Sequence, residues 1–121
     1  MSLLLAAAML AMDPGMNHMH DQAPQLGRIS FKTTCSPAAD ALVQRGLAWL
    51  HSFEYQRAEA SFSEAAGVDS RCAIASWGAA MTYYHPLWAA PTAEEFQKGS
   101  AALARARAAS AGGGVAARAS R

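Results

Sequence analysis

Apolar residues recur at helical spacing through the middle of the chain, and no run alternates at the period of two that marks a strand. Leu42, Gly46, Trp49, Leu50 and Phe53 fall at i, i+4, i+7, i+8 and i+11, one stripe of a first helix. Ser36 followed by Pro37 sets its start, because the hydroxyl accepts from a first-turn amide and proline has no N–H to leave unpaired. Gly46, inside that helix, costs about 1 kcal/mol relative to alanine, which a closely passing neighbour would offset. A second helix is predicted over 54–66, with Tyr55, Ala58, Phe62 and Ala65 inward and Gly67 as its stop. Asp69 or Ser70 is expected to cap a third, which carries Ile74, Trp77, Ala80, Met81 and Tyr84 and ends before Pro86. Thr92, with Glu95 three residues on, is a capping box that opens a fourth through Phe96, Ala101, Leu103 and Ala106. The expected class is all-α, about four helices in antiparallel pairs over 36–108, between a disordered leader and a flexible tail at 109–121.

A fixed step relates the first and third helices. Gly46 and Ala80 lie 34 residues apart, as do Trp49 and Tyr83, Leu50 and Tyr84, and His51 and His85. A 34-residue period with a small residue three places before an aromatic is the tetratricopeptide (TPR) spacing. Gly46, Trp49, Ala58, Phe62 and Ala65 fill the repeat's places in step, with Leu42, Arg45 and Ser70 standing where the pattern has Trp, Leu and Pro. Three blocks then occur in order: T-T-C-S-P at 33–37, A-W-L-H-S-F at 48–53 and D-S-R-C-A-I-A-S-W-G-A-A-M at 69–81. In these the chain resembles a group of secreted bacterial TPR proteins, a resemblance that covers about residues 25–106. Members of that group are longer, which implies that this chain is a truncated one.

The leader carries two separate signals. Residues 3–12 form an apolar run far short of the ~20 residues of a membrane span. They fit the apolar region of a partial signal peptide, which implies export to the periplasm or cell surface. Residues 13–35 read as a linker holding Met16, His18, Met19 and His20, thioether and imidazole groups that suit copper. Weak copper binding by a flexible tract is the expectation, and no resident cofactor. Cys35 and Cys72 lie at the starts of equivalent helices, at the same end of the array, where an exported compartment would let them join. Two reduced, partly buried thiols are the other reading, and a nucleophile a third.

The formal net charge of +1 gives no general pull toward nucleic acid, and the four arginines from Arg105 onward lack interleaved aromatics. No nucleophile elbow, zinc-protease helix or phosphate loop is present, so the expectation is not an enzyme. The leading reading is an interaction scaffold that binds a protein or peptide on its A-helix face. Val43, Leu47, Leu50, His51, Trp77, Met81, Tyr84 and His85 are the expected contacts. Metal handling by the leader is the alternative. An array this short leaves core uncovered, so homo-oligomerisation, a partner or local disorder is expected to make up the difference.

Overall fold

A computed structural model describes residues 26–85 and 89–119; the signal-like run and the Met/His cluster lie outside these residues. All the regular structure there is helical: α1 (Pro37–His51), α2 (Tyr55–Val68), α3 (Ala73–Met81) and α4 (Ala93–Ala119). The expected starts of α1 and α4 hold in atomic detail. Ser36 Oγ accepts from the Ala39 amide, and the box closes as the Thr92 N–H donates to the Glu95 carboxylate at 2.8 Å and the Glu95 N–H to Thr92 Oγ1 at 3.2 Å.

Other boundaries differ from the expectations. Phe53 belongs to no helical stripe: α1 ends at His51, and Phe53 takes φ 60° in the turn at 52–54, half-exposed. That left-handed geometry, unusual for a bulky residue, folds α2 back against α1. Gly67 does not stop α2. It keeps a negative φ and the helix runs on to Val68, where the Asp69 amide still bonds to the Ala65 carbonyl. Nor does Asp69 or Ser70 cap α3, whose first helical residue follows Cys72. The Asp69 carboxylate instead accepts from the main-chain N–H groups of Ser36 and Arg71. Both bonds favour its charged form and hold its pKa below the usual carboxylate range. The third helix stops at Met81, so Tyr84 and His85 lie in the segment beyond it. α4 continues to Ala119, through residues expected to form a flexible tail.

Packing is organised by one aromatic ring. Phe62 on α2 is fully buried and wedges between Gly46 on α1 and Gly78 on α3. A Cβ at Gly46 would lie 2.8 Å from Phe62 Cδ1, and one at Gly78 would lie 2.5 Å from the same atom. Ordinary carbon contacts are about 3.5–4.0 Å, so both positions require glycine. The close neighbour expected at Gly46 is therefore Phe62, and Gly78 has the same role from the other side. α3 thereby packs against both α1 and α2, and α4 packs against α3. The rest of the core is mostly alanine with Val43, Trp49 and Cys72.

Cys35 and Cys72 form a disulfide, with Cα atoms 4.8 Å apart across 37 residues of sequence. Among the open readings of these cysteines, this is the one the fold contains. The adjoining Ser36–Asp69 hydrogen bond, 2.9 Å, ties the same two loops a second time.

Candidate functional site

Residues 26–35 run along α1 as a strap. Residues 27–29 share a hollow with Ala48, His51 and Ser52 at the end of α1. Phe31 meets Gln44, and Thr33 Oγ1 donates to Asp40 at 2.6 Å. Two strap residues thus match four helix residues. At about 3.3 Å per extended residue and 1.5 Å per helical residue those lengths agree, so the strap is extended and antiparallel to α1. Gln44 fixes its middle: the side-chain oxygen accepts from Phe31 N–H at 3.3 Å, and the side-chain nitrogen donates to the Phe31 carbonyl. Both bonds are to main chain, so they hold an extended backbone whatever its side chains. The disulfide and the Asp69 carboxylate fix the strap's far end.

The expected interaction residues differ in exposure. Val43 is a core residue with no exposed surface, because Phe62 and α3 enclose that side of α1; it is no contact residue. Leu47 and Leu50 are half-buried against the core. His51 is exposed, with Nδ1 2.8 Å from the Leu47 carbonyl of its own helix. On α3 and just beyond it, the equivalent positions are partly open. Trp77 and Tyr84 are 40% and 59% exposed, and Met81 is half-buried. His85 is turned elsewhere: its ring packs on Tyr55 at 5.2 Å, and Nε2 lies 3.2 Å from Glu95. The two histidines therefore have different surroundings.

Two hollows adjoin along α3. One, of about 570 Å³, has α3 as its floor (Ala73, Ile74, Trp77), the strap as one wall and Leu103, Ala106 and Arg107 of α4 as the other. The second, of about 190 Å³, lies beside Met81 and Tyr84 and shares Leu103 with the first. Together they form an apolar trough with Phe31, Trp77, Tyr84 and Phe96 exposed at its edges. Comparison of the chain with protein-family models, curated proteins and solved structures finds no match.

Three residues of this trough were missed by reasoning from the stripes alone: Lys32, Leu103 and Arg107. Leu103 and Arg107 are four apart in a helix and so share one face. What the sequence lacked was the long-range fact that strap and α4 flank α3. A second cluster, at the junction of α2, the end of α3 and α4, is polar. There Tyr83 donates to Glu59, Lys98 pairs with Glu94 and His85 meets Glu95. Burial, then the Glu59 contact, pushes the Tyr83 phenol up to about 12. Glu95 is held below the usual range, first by the Thr92 amide and then by His85. These carboxylates already have partners, and among the described residues no three acidic, histidine or cysteine side chains are placed to hold a metal. The copper expectation at Met16, His18, Met19 and His20 lies outside the described residues. No helix among the described residues is long and apolar enough to cross a membrane.

Proposed function

We propose that this chain is an exported, non-enzymatic scaffold of the tetratricopeptide type that holds a protein or peptide segment against its α3 face. The observation that carries the reading is the docking of α3 across both α1 and α2, through Phe62 between Gly46 and Gly78. That contact sets helices related by the 34-residue step side by side, and α4, packed on α3, still leaves Trp77 exposed with Ile74 and Met81 half-buried beside it. Of the expected contacts, Trp77, Met81 and Tyr84 border the groove, whereas Val43 is buried in the core and Leu47 and Leu50 are half-buried against it. An apolar patch of this kind on a soluble helical domain marks an interaction site. Export is supported by the apolar run at 3–12 and by the disulfide, which persists in oxidising compartments.

The test is selection of binders from a displayed random-peptide library with the full chain, followed by amide chemical-shift mapping of each binder. Perturbations centred on 73–84 and 96–107 are expected. Failure to enrich any peptide, or shifts confined to the outer side of α2, would refute the scaffold reading.

A further inference from the structure

The trough has a charge pattern that narrows its partner. Its larger hollow carries Lys32 from the strap and Arg107 from α4, and no acidic residue among its lining. Neither cation forms an ion pair within the described residues. Between them lies an apolar floor of Ile74 and Trp77 with Leu103 on the far wall. The strap also offers main chain. The Phe31 N–H and C=O face Gln44 on α1, so the main-chain groups of Lys32, the next residue of an extended segment, face the opposite way. No hydrogen bond is made to the Lys32 main chain within the described residues. An open, extended edge beside apolar sockets is the arrangement in which a second extended segment adds by main-chain pairing.

We infer that the groove between the strap and α4 takes an extended acidic peptide, its apolar side chains resting on Ile74, Trp77 and Leu103 and its carboxylates meeting Lys32 and Arg107. This rests on the scaffold reading and adds the chemical class of the partner and the role of the strap. Because the disulfide joins the strap's end to the start of α3, it also holds the Lys32 wall against the apolar floor.

Fluorescence anisotropy tests it with a labelled hexapeptide alternating leucine and glutamate, titrated with the full, oxidised chain. Saturable binding that weakens with salt is expected. Arg107→Glu and Lys32→Glu each exchange an attraction for a repulsion at an exposed position, and each is expected to weaken binding about tenfold. The double reversal is expected to bind the leucine–lysine counterpart instead, which a folding defect would not produce. Trp77→Ala is expected to weaken both pairings. Equal binding of the leucine–lysine peptide by the native chain, or no loss on Arg107→Glu, would overturn the inference. If library-selected peptides map to this groove but carry no acidic residue, the inference fails and the scaffold reading stands. If no peptide perturbs this face, both fail.

Discussion

Replacing Gly78 by alanine tests the packing on which the docking of α3 onto α1 and α2 depends. In a helix interior the substitution should stabilise by about 1 kcal/mol, because alanine loses less backbone entropy. At Gly78 the added methyl would lie 2.5 Å from Phe62 Cδ1 and 2.7 Å from Cζ, about 1 Å inside ordinary contact. The ring cannot retreat: it is fully buried and is already pressed against Gly46. Inserting a methyl where neighbours cannot shift costs roughly 1–3 kcal/mol. Since a forced displacement of a caged aromatic belongs at the upper end, the net effect should be a loss of about 1–2 kcal/mol. For a domain of this size each kcal/mol lowers the melting temperature by about 4–8 °C. Gly67→Ala provides the contrast, because nothing lies within 4 Å of its added methyl and its φ is not positive. The same change there should stabilise by about 0.5–1 kcal/mol. Urea unfolding followed by far-UV circular dichroism reads both. Opposite signs are expected, with the Gly78 loss relieved when Phe62 is shortened to leucine. A Gly78→Ala protein as stable as Gly67→Ala would refute the wedge.

Two further outcomes follow from the ties between loops. Loss of the disulfide, by reduction or by Cys35→Ala with Cys72→Ala, should destabilise by about 4 kcal/mol in the chain-entropy account of a 37-residue closure. An unchanged urea midpoint in reductant would contradict this. Stability should also fall on acidification, because Asp69 and Glu95 both have folded pKa values below their unfolded ones. Their contribution is complete above the ordinary carboxylate range and is lost as pH drops through the lowered values. Asp69→Asn and Glu95→Gln should each flatten the acid limb of a stability–pH profile; an unaltered limb in the double variant would count against both bonds.

Local chemistry made much of the fold legible. The Ser36–Pro37 start and the Thr92–Glu95 box are short-range devices whose geometry follows from residue type and spacing, and both form as expected. The 34-residue step also brought Cys35 toward Cys72. What sequence could not supply was competition between partners. Asp69 has the composition of an α3 cap, yet the Ser36 amide across the fold takes its carboxylate. Gly67 has the composition of a stop, but a stop needs a left-handed residue, and the turn to α3 is made without one. Val43 carries the right spacing for an outward face, and its burial depends on where Phe62 drives α3. The groove was the least legible feature, since Lys32, Trp77 and Arg107 come from three separate segments.

The Cys35–Cys72 bond encloses α1, the turn and α2 in a covalent ring. Tension applied at the two ends of the chain bypasses that ring, passing from residue 35 to residue 72 through sulfur. About 37 residues at ~3.5 Å each, roughly 130 Å of contour, are thereby withheld from stretching while the bond is intact. The helices that can be drawn out are α3 and α4, which form the floor and one wall of the groove. Under load the groove would open while the α1–α2 half stayed closed, and relaxation would return α3 to a preserved template.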